Sequence, residues 1–173
     1  MYPTLYIEYL AHFHCTKDFF ECHEVLEEHW KEVEPKRRDS VWVALIQLAV
    51  SLYHHRRGNH AGAQRLLEKS YDKVKLRENE LKSLGLDPVQ LQRLMEELKE
   101  HYASNLPFQH VELPVDDPEL VELYKAKCQA WHDEGILEND HHFLVHKHRL
   151  RDRSDVMDER QIQLDKRRNN QKP

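Results

Sequence analysis

Residues 41–52 read VWVALIQLAVSL, apolar almost all the way round a helix and interrupted only by Gln47 and Ser51. A helix with no polar face cannot lie on a surface, so other segments must surround it. Composition says what those segments are. Gly occurs only four times, charged residues make up 33%, and Leu, Glu, Lys, Arg, Gln and His outnumber the β-branched residues. That is the composition of helices rather than sheets, and the fold class expected is all-α.

Punctuation divides the 173 residues. Residues 3–14 read as a short helix. Asp18, with Glu21 three residues on, fits a capping box opening a helix to about residue 33, and Glu34-Pro35 closes it. Within it Phe19, Cys22, Leu26, Trp30 and Val33 recur at spacings of three and four, the pattern of a core stripe. Asp39 or Ser40 caps the apolar helix, which runs to about Arg57. After Gly58-Asn59 the spacing predicts a fourth helix over 61–84 with Ala63, Leu66, Leu67, Tyr71, Val74 and Leu81 inward, ended by Gly85. Asp87-Pro88 starts a fifth, to about Ala103, and Asp117-Pro118 a sixth, stopped by Gly135; 104–114 is irregular. From about Asp155 the chain can be helical but has little to bury. Residues 1–135 are therefore expected to form a helical bundle domain and 136–173 a charged C-terminal extension. Residues 13–30 and 54–71 also superpose at an offset of 41, with Cys22 on Ala63, Leu26 on Leu67 and Trp30 on Tyr71. Two stacked helix-turn-helix hairpins plus further C-terminal helices give that pattern.

Charge and cysteine content narrow the class. The net charge of −5 conceals a basic stretch, 146–173, with nine Lys/Arg against five Asp/Glu, so the remainder is more acidic still. An acidic body argues against a general nucleic-acid binder, and only the tail is suited to phosphate. Cys15, Cys22 and Cys128 are an odd set without C-x-x-C spacing, which indicates neither a disulfide framework nor a cysteine zinc site. The N-terminus is amphipathic with Glu8 and His12 inside it, and no apolar run approaches the roughly 18 residues of a membrane span. A cytoplasmic protein is expected.

Chemistry concentrates in Asp18-Phe-Phe-Glu-Cys-His23-Glu24-Val-Leu-Glu27-Glu28-His-Trp30. Residues four apart on a helix differ by about 40° in direction, so His23 and Glu27 can present a ring nitrogen and a carboxylate to one point. His-Glu-x-x-Glu resembles the zinc peptidase pattern His-Glu-x-x-His but has Glu27 where the second histidine belongs. Gln47 and His54, seven apart, share a face with Val43 and Val50, and a polar group among apolar ones costs about 1–3 kcal/mol without a partner. Gln47 and His54 are therefore expected to meet His23 and Glu27 in a buried polar cluster. Read structurally, the cluster sets hairpin register; read chemically, His23, Glu27 and His54 bind a divalent metal with Glu24 as a base. Trp30, Trp42 and Tyr53 read as core. Asn59 caps a helix, and Gly62 and Ala63 allow close helix packing. Glu21, Glu24 and Glu28 read as a solvated face. His141, His142, His146 and His148 lack ordered carboxylate or thiolate partners. Arg149, Arg151, Arg153, Lys166, Arg167 and Arg168 alternate with Asp152, Asp155, Asp158 and Asp165, as on a salt-bridged surface helix.

The blocks Phe20-Glu-Cys-His23-Glu24-Val-Leu26-Glu27-Glu28-His-Trp30, Ala44-Leu-Ile46-Gln47-Leu-Ala49-Val-Ser-Leu-Tyr53-His54 and Gly58-Asn59-His-Ala-Gly62-Ala63-Gln-Arg-Leu66-Leu67 occur in that order. Together they resemble the small all-helical prokaryotic proteins grouped as domain of unknown function 309, over roughly residues 5–80. The resemblance implies a helical bundle and no established activity. The turn Phe13-His-Cys15-Thr-Lys17-Asp18 departs from the small, glycine-like turn residue expected of that family. The function expected is a non-enzymatic interaction module engaging a protein partner or a second copy of the chain, with no cofactor favoured. The alternative is a metal-dependent, hydrolytic enzyme.

Overall fold

The apolar run forms α3, Val41–Arg56, and eleven of its sixteen residues are buried. A computed structural model describes residues 1–136 together with Val145 and His146. Among the described residues there are seven α-helices and no strand, an all-α bundle. The helices are α1 (Thr4–Ala11), α2 (Phe19–Val33), α3, α4 (His60–Leu76), α5 (Glu78–Ser83), α6 (Pro88–Ala103) and α7 (Pro118–Asp133). Helices α2 and α4 pack along α3; α1 packs on α2 and on α7, and α6 packs on α4. Leu45, Leu48 and Leu52 of α3 are fully enclosed with Leu26 and Leu67, each such side chain contributing about 1.5–3 kcal/mol.

Caps fix where the elements begin. Asp18 accepts from the Glu21 amide and Asn59 from the Gly62 amide, so the cap positions also repeat at the 41-residue offset. Between the Asp39 and Ser40 alternatives, Ser40 caps α3 by accepting from the Trp42 amide at 3.1 Å. Two serines then fasten α3 to α4 reciprocally. Ser51 donates to the Ala63 carbonyl and Ser70 to the Ala44 carbonyl, both at 2.7 Å. Small Ala44 and Ala63 permit that approach. Gly62 serves a different purpose from the packing expected of it: a Cβ there would meet Asn59's own side chain at 2.6 Å, so Gly62 leaves room for the cap.

Three expectations are corrected. The first helix does not stop at residue 14 as an α-helix; after Ala11 it widens into a π-helical turn, His12–Thr16, ended by Lys17 at φ 54°. Lys17 thus holds the left-handed conformation that glycine adopts without strain. The fourth helix breaks at Arg77, whose guanidinium leaves the helix to bind the Asp39 carbonyl and carboxylate and Glu80. Cys15 and Cys128 form a disulfide joining the π turn to α7 across 113 residues, leaving Cys22 as a buried free thiol. A bond between residues so distant in sequence leaves no local spacing to read.

Candidate functional site

The half-exposed residues of α3 are Val43, Gln47, Val50 and His54, at spacings of four, three and four, and Arg57 caps the helix three further on. Every other α3 position except Arg56 is buried. This stripe is the floor of a groove whose walls are α2 and α4. Apart from Arg56 the apolar helix therefore shows solvent one narrow line; of the polar groups expected at the centre of the protein, Gln47 and His54 lie on it and His23 and Glu27 stand beside it on α2.

Two cavities meet in the groove at His23. One, about 210 Å³, is walled by Phe19, Phe20, Val50 and Tyr53 and rimmed by His54 and Arg57. The other, about 480 Å³, lies over Val43, Ile46 and Gln47, with Glu27 and Trp30 of α2 on one side and Lys69 and Lys73 of α4 on the other. Arg38 closes its end. Trp30 is steadied by its indole N–H, which donates to the Arg37 carbonyl at 3.0 Å. Half-buried, it packs against the core and lines the groove at once, while Trp42 and Tyr53 are buried as expected.

Polar partners are arranged differently from the single buried cluster expected. His23 sets Nδ1 3.0 Å from a Glu24 oxygen and Nε2 3.5 Å from Glu27, and both His23 and Glu27 are 32% exposed. Glu27 also takes Lys31 at 3.1 Å. Gln47 does not reach this pair; its carbonyl oxygen accepts from Lys73 at 3.0 Å. His54 accepts at Nδ1 from the Asn59 side-chain amide at 3.0 Å. Burial, then the cations Arg57 and Arg65, hold the His54 pKa below its ordinary value, so the ring is neutral at pH 7. The expected cluster is thus an α2 group and two separate α3–α4 contacts along an open floor. The physical reason is Lys73, which reaches Gln47 from α4, a helix whose register on α3 is set by Ser51 and Ser70.

Metal-ligating geometry is confined. Among the described residues, His23, Glu24 and Glu27 are the one set of three whose ligand atoms lie within 4.8 Å of one another. Glu24, expected as a base, supplies a donor of that set. His54, expected as a ligand, is turned toward Asn59. Such a set offers one nitrogen and two carboxylates at a solvent-facing position, a ligation that leaves coordination sites open. Of the C-terminal histidines only His146 is described. His141, His142 and His148, the basic residues from Arg149 to Arg168, and most of the 136–173 extension lie outside the described residues.

Sequence reasoning found the α2 and α3 residues of this site but not Lys69, Lys73 or Arg38. Their signal was present as two lysines one turn apart on the outer edge of α4, but only the packing shows which cavity that edge borders.

Fold and site together define an all-helical bundle with a half-open groove over its most apolar helix. The chain belongs to the family described as domain of unknown function (DUF309), whose model matches residues 6–66. That span holds α1, α2, α3 and the start of α4, and hence the floor and one wall of the groove. The chain is 44% identical over 172 residues to the uncharacterized protein YpuF of Bacillus subtilis (strain 168), covering 97% of this chain and 98% of the relative. No solved structure matches it. Among the described residues no helix is long and apolar enough to cross a membrane.

Proposed function

We propose that the protein is a non-enzymatic interaction module and that its α2–α3–α4 groove receives a segment of a protein partner. The observation that supports this is the Val43-Gln47-Val50-His54 stripe, a helical row left half-open on a helix enclosed everywhere else but at Arg56. A row at spacings of three and four is the complement of a partner helix laid alongside it. Adjoining cavities, one apolar and one mixed, provide pockets for anchoring side chains. The acidic body disfavours nucleic acid as the occupant. Residues 1–135 are the binding unit in this proposal; α7 ends at Asp133, and Gly135, at φ 67°, follows it.

Affinity purification tests it, with tag-free cells as blank. Wild type, Val50→Asp and the distant surface variant Leu123→Asp are compared after each is shown to be folded by circular dichroism. A protein retained by wild type and by Leu123→Asp but lost from Val50→Asp is the expected result. An identical set from all three would show that the groove holds nothing. A second reading, a metal-dependent hydrolase, is favoured by the His23-Glu24-Glu27 donor set alone. Metal analysis of the untagged protein decides it: one tightly held divalent ion per chain, lost in His23→Ala, would replace the module reading with the enzyme.

A further inference from the structure

Charge along the groove is uneven. On the α2 wall the carboxylates are already engaged, Glu24 with His23 and Glu27 with His23 and Lys31. On the α4 wall the opposite holds. Lys69 and Lys73 stand one turn apart on the rim of the 480 Å³ cavity, with Arg38 at its end, and none of the three has a carboxylate within 4.0 Å among the described residues. Lys73 is bonded instead to the neutral Gln47 amide and to the Lys69 carbonyl. Arg57 marks the other end, its guanidinium 5.3 Å from the centre of the Tyr53 ring. Four cations thus edge a mostly apolar floor in which Val43, Ile46 and Val50 surround Gln47.

Resting on the groove reading above, we infer that the occupant is an acidic amphipathic helix: its carboxylate-bearing flank lies against Arg38, Lys69 and Lys73, and an apolar side chain enters the Phe20-Val50-Tyr53 cavity. From Val43 to Arg57 the floor spans about 21 Å at 1.5 Å per residue, which matches a partner helix of about four turns. Arg38, Lys69 and Lys73, close together with no carboxylate in ion-pair contact among the described residues, gain from an incoming carboxylate, and their alignment fixes the partner's direction as well as its sign. A basic helix meets like charge along α4 and finds the α2 carboxylates already paired.

Three fluorescent 16-residue peptides test this with the full chain. All carry leucine at the same helical spacing and differ only in the flank, which is Glu, Gln or Lys. The Glu peptide is expected to bind about tenfold tighter than the Lys peptide at low salt, with the gap shrinking as salt is raised. The order should reverse in Lys69→Glu/Lys73→Glu, and the gap should narrow in the milder Lys69→Gln/Lys73→Gln. Val50→Asp should weaken all three peptides. Equal affinities that Val50→Asp still weakens would overturn the acidic partner and leave the groove standing. Binding that ignores Val50→Asp, or no binding by any peptide, would overturn both.

Discussion

At position 85 the backbone holds φ at +70°, and a Cβ placed there would stand 2.8 Å from the Tyr2 hydroxyl and 2.9 Å from a Leu120 methyl. Gly58 has a similar φ, +78°, with nothing within 4 Å of the same point. The pair separates two effects that a glycine usually combines. Left-handed backbone costs an ordinary residue about 1–2 kcal/mol, partly offset by the stiffer unfolded chain. Crowding against packed neighbours adds about 1–3 kcal/mol. Tyr2 cannot move aside freely, because its hydroxyl donates to Asp117, the cap of α7, and Leu120 is fully buried. Gly58→Ala is expected to lower stability by about 1 kcal/mol and Gly85→Ala by about 2–4 kcal/mol. Urea titrations of the two variants check this, and equal losses would mean that Tyr2 and Leu120 give way.

Between elements, what the sequence made legible and what it hid follow one rule. Features set within a few residues were readable: the Asp18 and Asn59 caps, the Asp87-Pro88 and Asp117-Pro118 starts, and the burial of α3. That Val43, Gln47, Val50 and His54 share one face was readable from spacing alone, but that this face stays half-open was not, since a buried cluster was expected there. Features set by distant partners were not. Arg77 breaks a helix because Asp39 waits 38 positions away, and Lys73 takes Gln47 only once α4 has docked. His14 is a further case, singled out by nothing around it in sequence. From the π turn its ring stacks on Tyr124 of α7, centroids 4.8 Å apart, with Nε2 buried and unpartnered. Burial, then the nearby Lys17, lowers its pKa from 6.5 to about 4, and Glu112 offsets part of that. The folded protein therefore binds this proton less readily than the unfolded chain. Stability from the neutral ring is complete above pH 6.5 and is lost as pH falls toward 4. Wild type is expected to lose up to about 3 kcal/mol more than His14→Gln across that window. Denaturation at stepped pH measures it; parallel curves would place His14 outside the acid response.

Across the whole molecule, the Cys15–Cys128 bond encloses nearly all of the described bundle, and it closes a surface on which α7 is also held by Lys127–Glu8 at 2.8 Å and by Trp131 against His12. Closing a loop of 113 residues restricts the unfolded chain far more than the folded one. Disulfides typically contribute about 2–4 kcal/mol, long loops toward the top of that range. Cys15 is exposed, so a reductant in solution has access to it. Denatured without reductant, the chain should show one titratable thiol, Cys22, and three would show that the bridge does not form. Cys128→Ser, or dithiothreitol, is expected to lower unfolding free energy by about 2–4 kcal/mol. The groove should respond differently. Its floor and walls belong to α2, α3 and α4, whose mutual packing runs through Ser51, Ser70 and the leucines of α3 and involves neither cysteine. Reduction is therefore expected to destabilise the protein while leaving the affinity of the acidic peptide unchanged at temperatures where the chain stays folded. A weakened peptide under dithiothreitol, with folding intact by circular dichroism, would show that the π turn transmits the state of the bridge through α2 to the groove.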